Sequence, residues 1–250
     1  MLNSHKHSTL TPDKNMKLKN RIAETSMFQT WYLRRRHRDR IVNFDSDLDP
    51  ESFNKARKRW LESRPDTHLT WGKEVTGHAF IRKVLQYAEI NSKTSILEIG
   101  PGYGRLLKAI FELNLGEYYG VDISSKNIER LKREFSSRDS NIHFIEGDIE
   151  TIKIDRIFDL AISSLTLKHF YPSFEKGLRN ISLHLKKGGV TVFDLIEGNF
   201  AFHEEDGTFI RLYSKSQVRE LVESCNLEMV AFDKVTHIEG YTRLVTVARK

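Results

Sequence analysis

From residue 95 onward, short apolar runs alternate with longer stretches whose apolar residues recur every three or four positions. The first pattern is that of buried strands, the second that of helices covering a sheet. Runs at 95–99, 118–122, 142–145, 158–164 and 190–195 predict five strands. Stripes through Leu106, Leu107, Ile110 and Phe111, and through Ile128, Leu131 and Phe135, predict helices over about 105–113 and 125–137. Another helix is expected over about 173–186, ending at Lys186-Lys187-Gly188-Gly189, because glycine suits a helix C-terminus. Ser214 is placed to cap a further helix, and strands near 227–235 and 241–248, joined through Glu239-Gly240, close the chain. Alternation of strand and helix implies an α/β fold, a mostly parallel sheet flanked by helices, with an antiparallel hairpin at its end.

The first 94 residues are patterned differently. Residues 1–14 are polar and expected to be disordered. Residues 15–72 predict a helical, basic segment. One stripe runs through Leu18, Ile22, Phe28, Trp31 and Tyr32; a second helix starts with Asp49 as cap and Pro50 as its first residue, turning Phe53, Ala56 and Trp60 one way. A third helix, roughly 73–89, carries Val75, Phe80, Ile81, Val84 and Leu85 and leads into the domain of residues 73–250.

Charge sharpens this division. The chain of 250 residues has a net charge of +6, and residues 1–72 hold 15 Lys/Arg against 9 Asp/Glu, the same excess. The cluster Arg34, Arg35, Arg36, Arg38 and Arg40 reads either as a solvated or internally paired face or as a contact for phosphate or RNA. One cysteine, Cys225, excludes an intramolecular disulfide and a cysteine zinc cluster, and no metal site is expected. No apolar run approaches the ~18 residues that cross a bilayer. A cytoplasmic protein without a membrane partner is expected.

The candidate chemistry lies where strands end. Glu98 sits inside the apolar run 95–99, where an unpaired carboxylate is costly. Gly100, Gly102 and Gly104 follow at alternate positions, a turn that brings bare backbone against a ligand. Asp122, at the end of the second strand and twenty residues past Gly102, can hold both ribose hydroxyls of a nucleotide or cap the next helix, a role open also to Ser124. Ligands of open α/β sheets bind beyond the C-terminal strand ends, so Ser163, Ser164, Leu165 and His169 are expected to border cofactor and acceptor. His169 is either a proton acceptor or structural. The polar stretch 197–207 leaves the same edge and reads as an acceptor-side loop or lid.

Glu98-x-Gly100-x-Gly102-x-Gly104, Asp122, Gly147-Asp148-Ile149 and Phe158-Asp159-Leu160 with His169-Phe170 downstream resemble, in that order, the motifs of class I S-adenosylmethionine (SAM)-dependent methyltransferases of small-molecule type. The resemblance covers about 75–250 and implies a Rossmann-like sheet whose last strand is antiparallel. It implies SAM as cofactor and S-adenosylhomocysteine as product. Glu98, Gly100, Gly102, Gly104, Asp122, Ile123, Asp148, Ile149, Ser163 and Leu165 would hold the cofactor, with Asp148 accepting from the adenine amine and Ile149 on the ring. His169 and His203 are the candidate catalytic groups; Trp71, Phe202, Arg211 and Tyr213 are candidates for the acceptor side. The implied reaction is methyl transfer to an O or N atom of a small, in one version anionic, acceptor. RNA or protein methylation directed by the basic segment, or SAM binding without turnover, are the alternatives. The segment 15–72 is expected to cap the acceptor side and to be dispensable for cofactor binding.

Overall fold

A computed structural model describes residues 26–44, 50–62, 74–135, 140–236 and 242–250. The stretch 1–14, Asp49, Trp71 and Glu239-Gly240 lie outside the described residues. Among the described residues one sheet runs through β1 (Ser95–Ile99), β2 (Glu117–Asp122), β3 (Ile142–Glu146), β4 (Phe158–Ser163), β5 (Leu185–Glu197), β6 (Ala201–His203), β7 (Phe209–Tyr213), β8 (Glu228–Thr236) and β9 (Thr242–Arg249). The order β3-β2-β1-β4-β5 is parallel throughout. β9 enters antiparallel beside β5, and β8 lies antiparallel beside β9. This is the expected mostly parallel, Rossmann-like sheet with an antiparallel last strand.

Alternation along the strands divides the core. Ile96 and Tyr118 join Phe80, Leu106, Ile128 and Leu131 on one face, the face of α3 (Glu74–Val84), α4 (Arg105–Ile110) and α5 (Ser125–Phe135). Leu97, Ile99 and Val121 face Phe174, Leu178 and Val218, the side of α6 (Glu175–Leu183) and α7 (Lys215–Ser224). Each such side chain contributes about 1.5–3 kcal/mol through removal from water. Gly77 on α3 lets that helix lie against α4, since a Cβ there would stand 2.6 Å from the Arg105 carbonyl oxygen. Ser214 caps α7 as expected: its hydroxyl accepts from Gln217 N–H at 3.2 Å while its own N–H donates to Gln217 Oε1 at 2.9 Å.

Two expectations change. The helix over 173–186 stops at Leu183, and Lys186-Lys187-Gly188-Gly189 belong to β5, not to a helix end. Gly188, at φ +80°, donates to the Lys250 carbonyl at 2.7 Å, while Lys250 N–H returns to Gly189 O at 3.0 Å. The glycines thus form an irregular start to β5 that ties down the end of β9. The stretch 197–207 is not a free lid either. Ala201–His203 pairs antiparallel with β7, and β7 extends the sheet parallel to the end of β5.

This added hairpin is apolar on both faces, and the N-terminal segment covers both. Phe200, Phe202, Ile210 and Leu212 pack with Leu33 of α1 (Ser26–Arg36). Ala201 and Phe209 pack with Ala56 of α2 (Pro50–Leu61) and with Val42 and Tyr171. No helix among the described residues is long and apolar enough to cross a membrane.

Candidate active site

β1 neighbours β4 although β2 and β3 intervene in sequence, so the strand order reverses between them. At such a point connections leave in opposite directions and a crevice opens beyond the C-terminal strand ends. The cleft found there is lined by the glycine turn after β1, Asp122 and Ile123 after β2, Gly147–Glu150 after β3, and Ser164–Thr166 with Lys168–Tyr171 after β4.

Gly100, Gly102 and Gly104 all have positive φ, at +68°, +58° and +83°. A Cβ on Gly100 would strike Thr166 and one on Gly104 would strike Phe135, whereas one on Gly102 would meet nothing within 4 Å. Gly102 therefore presents bare backbone to open cleft space. Behind the turn, buried Glu98 accepts from the Tyr118 hydroxyl at 2.6 Å. Burial pushes its pKa up to about 7, opposed by that hydrogen bond and by Arg105. Asp122 receives Gly102 N–H at 3.0 Å, Ser124 N–H at 2.9 Å and Asn127 Nδ2 at 3.2 Å. Its carboxyl is nonetheless raised, because burial outweighs those bonds. Ser124 caps α5, its hydroxyl accepting from Asn127 N–H at 3.5 Å. Asn127 also lines the cleft, and its Oδ1 is buried with no hydrogen-bond partner.

Beyond β3, Asp148 Oδ1 accepts from Glu150 N–H at 2.9 Å and Oδ2 from Arg57 of α2. Ile149 is buried beside it and lines the cleft. Beyond β4, Leu165 sits at φ +69°, a conformation that costs a non-glycine residue about 1–3 kcal/mol. Its N–H is held by Asp194 Oδ1 at 2.8 Å, and Asp194 Oδ2 takes the Ser164 hydroxyl at 2.6 Å. Arg105 donates to Ser164 Oγ at 2.8 Å, and Arg243 approaches Asp194 at 3.5 Å. Lys168, buried in this network and lining the cleft, has its pKa lowered to about 8, chiefly by burial and then by Arg243.

His169 lines the cleft with its ring 4.4 Å from that of Trp60. Nδ1 lies 2.8 Å from the Phe209 carbonyl, an acceptor only, so Nδ1 carries the proton and Nε2 keeps a lone pair. Burial, then neighbouring Lys168, holds this histidine well below its ordinary pKa, so the ring is neutral at physiological pH. The roof is α2, through Phe53, Ala56, Arg57, Arg59 and Trp60. Arg59 ties it to Asp206 of the hairpin through Nε at 3.1 Å and Nη2 at 3.0 Å.

The structure brings Glu98, Gly100, Gly102, Asp122, Ile123, Asp148, Ile149, Leu165 and His169 to one cleft. Gly104 stands at the start of α4, packed on Phe135 and Leu131. Five other expectations are corrected. Ser163 points into the sheet and donates to the Ile99 carbonyl at 3.0 Å. His203 does not line the cleft; its Nδ1 turns to Gly207 O at 3.2 Å within its own hairpin. Phe202 is buried and stacked on His37 at 4.0 Å. Arg211 lies over the rings of Phe44 and Tyr213 and donates to the Pro172 carbonyl, and Tyr213 is buried against Phe174. The last four share one reason: the stretch 197–213 is a packed hairpin rather than an open loop. Its tip supplies Glu204, Asp206 and Thr208 instead. Arg57, Arg59, Asn127 and Lys168 were missed; only the one-sided placing of Phe53, Ala56 and Trp60 hinted at a roof.

A parallel sheet of this order, with a glycine turn on β1 and an acid ending β2, defines an α/β protein built for a nucleotide cofactor. Residues 96–189 match the family model described as a methyltransferase domain. The chain is 30% identical over 156 residues to the malonyl-[acyl-carrier protein] O-methyltransferase of Priestia megaterium, covering 59% of this chain and 54% of that protein. It is 33% identical over 102 residues to a probable ribosomal RNA small subunit methyltransferase A of Thermococcus sibiricus, covering 41% of this chain and 36% of that protein. It thus spans about half the length of the first relative and about a third of the second. The Burkholderia thailandensis 1,6-didemethyltoxoflavin-N1-methyltransferase, solved with 1,6-didemethyltoxoflavin and S-adenosylhomocysteine, shares the fold at a TM-score of 0.68 and 19% identity, over 84% of this chain and 94% of that one. Residues 96–189 thus carry a methyltransferase domain, and the fold is the one that SAM-dependent methyltransferases share, with SAM as the cofactor. The cleft fits such a cofactor: Gly102 borders open space, Asp122 is a buried acceptor, and Asn127 Oδ1 lacks a partner.

Proposed function

We propose that the protein transfers the methyl group of SAM to an O or N atom of a small-molecule acceptor. The observation that carries this reading is the roofed cleft: cofactor-type residues at the ends of β1, β2 and β3 share one cavity with Trp60, Phe53, Tyr171 and His169. Aromatic walls under a helix suit a small acceptor better than a polymer. When bound, SAM supplies an electrophilic methyl. The chain's task is to hold that cofactor, align the acceptor and exclude water. The Gly102 backbone and Asp122 are assigned to the cofactor's methionine part and ribose, Asp148 and Ile149 to its adenine. Neutral His169, oriented by Phe209 O, is assigned to take the acceptor's proton at Nε2. Lys168 on the lining favours an anionic acceptor. The Burkholderia neighbour, crystallised with 1,6-didemethyltoxoflavin, supports the capacity of the fold for a small acceptor.

A second reading rests on α1. Met27 and Trp31 are 81% and 54% exposed, Phe28 and Tyr32 accompany them, and Arg35 lies over the Trp31 ring at 5.7 Å. Aromatics interleaved with arginines suit single-stranded RNA. S-adenosylhomocysteine release from SAM, measured against panels of small hydroxylated and nitrogenous acids and against RNA oligonucleotides, separates the two. Turnover on RNA alone overturns the first reading, and cofactor binding with no turnover on either panel leaves a non-catalytic SAM-binding module.

A further inference from the structure

We infer that Arg57, from the N-terminal segment, is a specificity-determining residue for the adenine end of the cofactor. The inference rests on the reading of this cleft as a SAM site. Arg57 and Asp148 are 91 residues apart in sequence, yet Arg57 Nη1 donates to Asp148 Oδ2 at the lip of the cleft. Asp148 is thereby held at both oxygens, since Oδ1 takes the Glu150 N–H. That fixes the carboxylate plane, and each oxygen keeps a second lone pair for a further donor. Arg57 is positioned as well, its guanidinium carbon 5.9 Å from the Phe53 ring centroid. The side chain of Asp148 is 11% exposed and that of Arg57 33%, so the pair is only partly screened by water.

The pair therefore presents an acceptor and a donor side by side. Adenine carries the complement on one edge, an exocyclic amine next to a ring nitrogen that accepts. A guanidinium has five N–H donors, so one bonded to Asp148 has others to offer that nitrogen. Hypoxanthine reverses the pattern, with a carbonyl where the amine was and an N–H beside it. Against Asp148 and Arg57 it sets acceptor on acceptor and donor on donor. Mismatched buried polar groups discriminate strongly because neither side recovers its lost hydration. The same contact joins the roof to the cofactor half of the cleft, so the segment 15–72, expected to serve the acceptor alone, serves the cofactor too.

Titration calorimetry of the full chain with S-adenosylhomocysteine and with S-inosylhomocysteine tests this. Arg57→Ala should bind S-adenosylhomocysteine about 10-fold more weakly and lose most of its preference for the adenine ligand, as removal of a charged hydrogen bond predicts. Arg57→Lys should recover part of both. Arg59→Ala, which frees the roof from Asp206 and leaves Asp148 untouched, should keep the wild-type preference. An Arg57→Ala protein with unchanged preference overturns the inference. So does tighter binding by that variant, which would mean that the guanidinium competes with the adenine amine. A wild-type protein that binds neither ligand overturns instead the cofactor reading beneath it.

Discussion

Replacing Asp122 with alanine should weaken the cofactor and loosen the fold together, and the structure sets both magnitudes. The carboxylate accepts backbone N–H groups from Gly102 and Ser124 and the Asn127 amide, at a residue only 7% exposed. Alanine leaves two backbone donors in a place water scarcely reaches, at about 1–3 kcal/mol each. Release of a buried carboxylate whose pKa is already raised offsets part of this. A net loss of roughly 2 kcal/mol lowers Tm by about 4–8 °C in a chain of this size. Loss of the ribose bonds should weaken S-adenosylhomocysteine by at least ~10-fold, the effect of one charged hydrogen bond of about 1.5–3 kcal/mol. Calorimetry gives the affinity and scanning fluorimetry without ligand gives Tm. A 2′-deoxy analogue separates ribose contact from a disordered turn: wild type should prefer the ribose form and Asp122→Ala should not. Equal affinity of wild type and variant for S-adenosylhomocysteine refutes the ribose assignment, and an unchanged Tm refutes the account of the donors.

Three further expectations follow from the cleft. Gly102→Val meets no neighbouring atom but strains the turn at φ +58°, by about 1–3 kcal/mol, so it should fold with a lowered Tm and lose S-adenosylhomocysteine binding, because the open space is assigned to the cofactor; normal binding in calorimetry would move the ligand elsewhere. Glu98 titrates near 7 in the folded protein against 4.5 unfolded, so the native state holds the extra proton and stability falls as pH rises between those values. Glu98→Gln removes that dependence and should gain on wild type, by up to roughly 3 kcal/mol, between pH 5 and pH 8; a difference in urea-unfolding energy that is the same at both pH values contradicts the raised pKa. His169, with its pKa held well below the ordinary 6.5, keeps its base form as pH falls through that value, so the acid limb of kcat should lie below it. His169→Ala should lower kcat by ~100-fold or more with KM nearly unchanged, and an acid limb in the wild type centred at 6.5 would argue against this proton acceptor.

Local signals in the sequence carried the sheet and the side of the cleft formed by the glycine turn and Asp122. Ile96, Leu97 and Ile99 read as a buried strand, the glycines at 100, 102 and 104 as a turn, and the spacing from Gly102 to Asp122 is one turn–helix–strand unit long. Such features depend on residues within some twenty positions of one another, so hydrophobic period and turn chemistry suffice to read them. What the tertiary structure decided depends on residues far apart. Phe200 and Phe202 looked like parts of a loop because their partners Leu33 and His37 lie far back in the chain, and a strand covered on both faces by distant helices shows no clean alternation. Gly188 and Gly189 suited a helix end equally well until pairing with Lys250 drew them into β5. Arg57 is one of four basic residues on α2, with Lys55, Lys58 and Arg59, and only the approach of that helix to Asp148 singles it out. Periodicity says which side of an element is buried. Packing alone says against what, and so which charged side chains meet across the cleft.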